Sequence, residues 1–353
     1  MSLAGRLAER IRSAGPVSVA EYMHLCLHDP RDGYYAVRPA IRADGDFITA
    51  PMVSQIFGEL IGLWMIEVWR QMGRPDSVRL VELGPGDGTL MSDLLRAARL
   101  EPDFAAAIDL WLVEPSRPLR VQQVQKLGTL ARHADSLDEV PKGAPLLVVA
   151  NEVLDCLPTR QWQRREGSWH ERRIGLAGDQ LVFGLAPAPG LEGAPEAAPD
   201  GAVFEHSPAQ EALASELGAR IASEGGAALL VDYGRGTPGL GDTLQAVSGH
   251  RRVDPLEHPG QVDLTVHADF PSVLAAARRE GVETQGPMAQ GDFLRVLGLE
   301  ARARTLSLAQ PESGDRIRRQ VERLSGADQM GDLFLAVALH SPGLRPPGFG
   351  AQT

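Results

Sequence analysis

LVELGPGDGTL, residues 80–90, passes from a short apolar run into a turn with three glycines in five positions and out into a segment with helical spacing. Strand, glycine turn and helix in that order form the nucleotide-cradling unit of doubly wound α/β folds, whose ligands lie beyond the carboxyl ends of the strands. The dinucleotide form of the turn is G-x-G-x-x-G, with main-chain amides and the helix N-terminus facing a pyrophosphate. Here Gly84-Pro85-Gly86-Asp87-Gly88 brings the third glycine one place early. Asp87, beside the helix start, would repel a pyrophosphate. The Gly-Lys-Ser/Thr of a P-loop is not present.

S-adenosylmethionine reverses the electrostatic requirement, because it carries a sulfonium and an ammonium and no phosphate. Acids then become ligands. Glu82 stands at the end of the first strand, within reach of the turn, and Glu114 ends the next apolar run, where a carboxylate can accept both ribose hydroxyls. Asp135-Ser136 follows a third strand candidate at 129–133, placed for the adenine edge, and Asn151-Glu152 ends a fourth. Singly, Glu114 and Asp135 also read as helix caps or solvated acids, and the turn alone as a ligand-free bend. A nicotinamide-dependent oxidoreductase is the reading that follows if the turn holds a dinucleotide.

The rest of the chain fits an α/β domain. VRLVEL (78–83), DLWLVE (109–114), PLLVVAN (145–151) and AALLVDYG (227–234) are bounded apolar runs of the kind covered on both faces in parallel sheets. Helical patterns lie between them at Thr89–Leu100 and Ser116–Leu127, and Ser207-Pro208 opens a longer helix. MGDLFLAVALH (330–340) reads as another central strand, after a helix near 312–325. Residues 1–77 are largely helical in pattern, with Trp64 and Trp69 as core, and form an expected cap; 78–340 form the catalytic domain, with a β-hairpin insertion at about 159–206. The Pro/Gly/Ala-rich stretches 185–201 and 341–353 are expected to be mobile, the second as a disordered tail.

Composition narrows the partners. The net charge of -11 and pI near 5.3 disfavour nucleic acid and favour basic or neutral substrates. No apolar run approaches the ~18 residues of a membrane span, and the N-terminus lacks the apolar core of a secretory signal, so the expected location is cytoplasmic. Cys26 and Cys156 have no metal-type spacing and read as buried thiols, with no metal expected.

Seven stretches then occur in a family-specific order: GDFITAPMVSQIFGELIGLW (45–64), VELGPGDGTL (81–90), NEVLDCLPTRQW (151–162), VDYG (231–234), DLTVHADF (263–270), TQGPMAQGDFLRVLG (284–298) and MGDLFLAVAL (330–339). They resemble the MidA family, which includes the mitochondrial methyltransferase that acts as an assembly factor of respiratory complex I. The resemblance covers about residues 15–340. It implies a class I methyltransferase fold, a Rossmann-like doubly wound sheet, with S-adenosylmethionine as donor. It also implies a protein substrate, since the mitochondrial relatives methylate arginine in the complex I subunit bordering the quinone site. Met52 stands where the family usually has glutamate, Asp87 where it has a basic or polar residue, and Val153-Leu154 where it has an aromatic pair.

Methyl transfer is an in-line displacement that needs alignment, exclusion of water and control of acceptor charge. A guanidinium acceptor is protonated at neutral pH, so carboxylates that bind two of its nitrogens orient the third and accept the departing proton. Glu152 and Asp155, three apart, would share one face of a helical turn. Glu152 is the expected acceptor-orienting acid and Asp155 its partner; Asp155 also reads as a helix cap or a partner of Arg160. Asn151 contacts the cofactor, Asp232 faces the same crevice or serves as a buried structural acid, and His267 with Asp269 reads as base and orienter or as a structural pair. In the N-terminal segment, Tyr34, Tyr35 and Phe47 are candidates to frame or stack on a flat cation, with cap packing as the alternative. Thr49, Ser54 and Gln55 are placed for the methionine moiety. The acceptor stays open between a protein arginine and a small molecule or another protein nitrogen, and a non-catalytic, cofactor-binding assembly module is the third reading.

Overall fold

The computed structural model describes residues 1–37, 49–188, 191, 193–249 and 251–350. Contacts divide the chain into two compact units, one of 48–153, 213–236 and 270–353, the other of 1–47, 154–212 and 237–269.

The first unit is built on a sheet whose strands are β1 (Val78–Leu83), β2 (Ile108–Val113), β3 (Arg132–Ala134), β4 (Leu146–Asn151), β5 (Gly226–Arg235), β6 (Glu283–Ala289) and β7 (Phe334–His340). Their order is β6-β7-β5-β4-β1-β2-β3. β1 to β5 pair in parallel, and β7 runs antiparallel to both β5 and β6. The apolar runs of β1, β4, β5 and β7 are buried on both faces, as in β4, where Leu146 to Ala150 are all buried, while β2 alternates buried and half-buried residues. The third strand falls at 132–134, slightly later than the apolar pattern suggests. The order reverses between β1 and β4, which makes their carboxyl ends the topological switch point of the sheet.

Helix α1 (Gln55–Gln71) belongs to this unit, so the units cut the chain differently from the expected boundary at 77. The cause is in its composition. IFGELIGLWMIEVW is apolar almost all round, and such a helix is stable only when buried. Ile56, Leu60, Trp64 and Trp69 join the core formed with β1, β4, β5 and β7. Gly58 and Gly62 let α1 approach helix α2 (Thr89–Ala98): a Cβ on either would stand 2.6 Å from Asp93 Cβ or 2.7 Å from Ala97 Cβ.

The tail expected to be disordered is packed as far as Phe349. Leu344 is buried, Pro347 O accepts the Trp64 indole N–H at 3.0 Å, and Phe349 lies 5.1 Å from the Phe293 ring. Gln71 clasps the main chain of Arg345 through two hydrogen bonds of 2.9 and 2.7 Å. Leucine and phenylalanine anchors outweigh the surrounding proline and glycine. Truncation after Pro342 is therefore expected to cost roughly 3 kcal/mol, from lost apolar burial and an orphaned indole; an unchanged urea midpoint would contradict this docking.

The second unit carries helices at Leu3–Ala14 and Val19–His28, the latter opened by a reciprocal Ser18/Glu21 capping box. The region around 159–206 folds as four antiparallel strands, Arg160–Arg165, Ser168–Ala177, Gln180–Pro187 and Val203–His206, with Val17–Ser18 added at one edge. Its first turn has Glu166 and Gly167 at φ 50° and 74°, the both-positive geometry of a tight hairpin. Part of the stretch expected to be mobile is held there: Pro195 O accepts from Trp169 Nε1, and Asp200 accepts from the Glu166 and Gly167 amides. Leu7, Ile11, Tyr22, Met23 and Leu27 pack with Ile174, Val262, Leu264 and Val266 in a separate core. Cys26 is buried in it, while Cys156 is only half-buried. Among the described residues no helix is long and apolar enough to cross a membrane.

Candidate active site

Gly84, Gly86 and Gly88 all adopt left-handed backbone, at φ 60°, 53° and 81°, a region side-chain-bearing residues reach only at a cost. A Cβ at Gly84 would also meet Val153 Cγ2 at 2.9 Å. The turn presents bare main chain at the end of β1. Asp87 accepts from the Thr89 amide at 2.9 Å and pairs with Lys126 at 2.6 Å, so its charge is shared with the start of α2 and a lysine.

Strand register explains which residues gather around it. Leu83, Val113, Ala134 and Ala150 form one row across the sheet, so Gly84, Glu114, Asp135 and Asn151 form the next row, just past the strand ends. Val231 stands opposite Asn151, which puts buried Asp232 one residue beyond, alongside Glu152. Six of the expected site residues therefore share one carboxyl edge.

Their environments differ. Glu82 is 2% exposed, and its Oε2 has no hydrogen-bond partner among the described residues. Burial first, then the nearby charges of Asp87 and Glu114, pushes its pKa up to about 8, against a hydrogen bond from the Met91 main chain. Glu114 accepts from Ser116 N at 2.8 Å, and burial pushes it up to about 7 despite Ser116, Gln123 and Arg120. Asp135 is exposed and paired with Arg120, whose Nε also donates to Glu114 O. Ser136 precedes a single 3-10 turn at Leu137–Glu139.

The expected helical turn at 152–155 does not form. Glu152 sits in the left-handed region at φ 56°, its amide bonded to Val231 O at 2.9 Å, and the next hydrogen-bonded turn is Leu154–Leu157. An acidic residue held there carries strain of about 1 kcal/mol or more, a feature that concentrates at functional sites. Its Oε1 accepts from Asn151 Nδ2 at 2.8 Å and from Ala50 N at 3.3 Å. The spacing of three thus does not align Glu152 with Asp155, and the two fall in different compact units. Arg160 gives its Nε and an NH2 group to Glu171.

Comparison with known proteins decides what this edge belongs to. Residues 60–288 match a family of S-adenosyl-L-methionine-dependent methyltransferases. The chain belongs to this methyltransferase family. It is 37% identical to the protein arginine methyltransferase NDUFAF7 homolog, mitochondrial, of Drosophila melanogaster, over 96% of this chain and 84% of that one, and 33% identical to the Homo sapiens NDUFAF7 over 94% and 82%. A Burkholderia thailandensis protein solved bound to S-adenosyl-homocysteine superposes with a TM-score of 0.86 at 27% identity, covering 99% of this chain and 94% of that one.

The class I methyltransferase fold accounts for the sheet, and S-adenosylmethionine is the methyl donor. The acids fit that donor. Burial and the charges of Asp87 and Glu114 oppose ionisation of Glu82, and burial opposes that of Glu114, so a cation at this edge would reduce the penalty. A phosphate would increase it.

Sequence reasoning missed Gln123 and His133, which contact this edge from α3 (Arg117–Leu127) and β3. Thr49, Ser54 and Gln55 lie at the N-terminal side of α1, where the Ser54 and Gln55 side chains and the Thr49 main chain have local tasks. Thr49 O receives the first turn of Ala50–Val53, Ser54 Oγ caps α1 at Ile56 N, and Gln55 donates to Glu59.

The remaining candidates belong to the second unit. Tyr34 is buried and meets the Tyr35 ring edge-on, while Tyr35 stacks on His28 and donates to Asp263 Oδ1 at 3.0 Å. Burial, with the charges of Asp263, Cys156 and Asp155, raises the Tyr35 pKa, so its hydroxyl stays protonated. Asp155 O accepts from Val266 N at 2.9 Å, which sets it beside the segment leading to His267. His267 is anchored through its amide to Thr243 Oγ1, and Thr243 to buried Glu205; Asp269 N donates to Gln210. The structure thus gathers Tyr35, Asp155 and Asp263, with Asp263 unforeseen. Phe47 lies outside the described residues.

Proposed function

We propose that the chain methylates an arginine of a protein substrate. The relatives bear that activity in their names, and the observation that carries the reading here is Glu152, a carboxylate held in left-handed backbone at the end of β4. When bound, S-adenosylmethionine supplies a methyl carbon activated by its positive sulfur. Glu152 binds the guanidinium, draws its charge toward one side and accepts the proton lost when the nitrogen–carbon bond forms. Asn151 and the Ala50 amide keep that carboxylate oriented. A subunit of the quinone module of respiratory complex I is the proposed substrate, on the family resemblance, and the cytoplasm the proposed location. Mass spectrometry of the proteome with and without the gene is expected to reveal a methyl-arginine lost in the deletion. A lost methyl-glutamine or methylated metabolite instead would overturn the arginine assignment while leaving the donor.

A further inference from the structure

We infer that Gln123 is a positioning residue for the methyl donor, because its buried amide ties the glycine turn to Glu114 and is held on its oxygen side by His133. The inference rests on the donor lying at this edge. Gln123 is 0% exposed on α3, between the turn and β3. Its Nε2 donates to Gly86 O at 2.7 Å and to Glu114 Oε2 at 3.4 Å, and its Oε1 meets His133 Nε2 at 2.9 Å.

The polarity of this chain of contacts has one solution. Gly86 O can only accept, so the amide nitrogen must face it and the amide oxygen must face His133. His133 Nε2 therefore carries a proton. Burial, and secondarily Arg120, lowers the His133 pKa, so the neutral Nε2–H tautomer is the form present at neutral pH. A flipped amide would set two oxygens together at Gly86 and two more at Glu114.

Two consequences reach the donor. The turn cannot move relative to Glu114 without breaking a buried hydrogen bond, which fixes the spacing between main chain and carboxylate. Gln123 also favours the ionised form of Glu114, along with Ser116 N and Arg120. The other titratable groups near Glu114 are Glu82, Arg120 with its partner Asp135, and His133 across the Gln123 amide, while Asp87, paired with Lys126, acts on Glu82. Loss of the Gln123 N–H shifts that balance toward protonated Glu114, a poorer acceptor for hydroxyl groups.

The test is calorimetric titration with S-adenosylhomocysteine from pH 6 to 9 on the full chain, its Gln123→Leu and His133→Phe variants, and Glu114→Gln as reference. Gln123→Leu is expected to weaken binding roughly tenfold at pH 7, to move the pH midpoint of binding upward, and to raise KM for the donor with kcat nearly unchanged. His133→Phe, which removes the partner of the amide oxygen and loosens the side chain, should change affinity in the same direction by less. A variant that melts like the parent yet binds with the parent affinity and pH midpoint overturns the inference, as does a uniform loss at every pH. If Gln123→Leu fails to fold, an unaltered midpoint in His133→Phe does the same. Failure of the unsubstituted chain to bind would instead refute the placement of the donor.

Discussion

Glu152→Gln is expected to lower kcat for methyl transfer by about 10²-fold or more, the scale of a lost general base, while the Kd for S-adenosylhomocysteine changes by less than about threefold, the donor's ligands being intact. The substitution is nearly isosteric. Glutamine keeps an oxygen for Asn151 Nδ2 and the Ala50 amide, and its backbone tolerates φ 56° no better and no worse. What it loses is the charge that balances a guanidinium and the capacity to take its proton. The separation matters because a folding defect lowers binding and turnover together, and a donor-site defect raises KM. Single-turnover methylation of the substrate, with binding measured in parallel, distinguishes the cases. Retention of kcat within about threefold would remove Glu152 from the chemistry, whereas a Glu152→Ala variant that lost turnover yet kept its biological activity would favour a role in assembly without catalysis.

How the chain reaches this edge was legible in part. β1, β4 and β5 stand almost where their apolar runs end, because strands covered on both faces carry their own boundaries in hydrophobicity, and β2 does so with only alternate residues fully buried. From those boundaries the row of Gly84, Glu114, Asp135 and Asn151 follows by register alone. Glu152 was legible as a residue and not as a geometry: a spacing of three suggests a helix, while the backbone turns left-handed at the strand end and breaks the period. Gln123 was hidden by a misleading stripe. In RPLRVQQVQKL the valines look like the inner face, yet Val121 and Val124 are exposed and Leu119, Gln123 and Leu127 are buried, four apart, with an amide in the middle. Nothing local distinguishes Gln123 from its neighbour Gln122. Only the docking of α3 on the glycine turn selects it.

Raising the pH from 5 to 8.5 is expected to destabilise the ligand-free protein, and Glu82→Gln is expected to flatten that dependence. A carboxyl whose folded pKa lies above its unfolded value keeps its proton in the native state after the unfolded chain has lost it. Stability is then complete below the unfolded pKa and is lost as pH rises toward the folded one, here about 8 for Glu82 and about 7 for Glu114. The slope is roughly 1.4 kcal/mol per pH unit for each retained proton, enough to lower Tm by on the order of 5 °C across the window. Glutamine at 82 fits the same space without an ionisation to suppress, so the variant should melt higher than its parent at pH 8.5 and alike at pH 5. Binding of the methyl donor should release the proton retained by Glu82, since a sulfonium near that carboxylate reverses the penalty that burial and Asp87 impose. Calorimetry in buffers of differing ionisation enthalpy measures that release, expected to be larger for S-adenosylmethionine than for the uncharged thioether of S-adenosylhomocysteine. A melting temperature indifferent to pH, or equal proton release with both ligands, would mean that Glu82 is not matched to a cation.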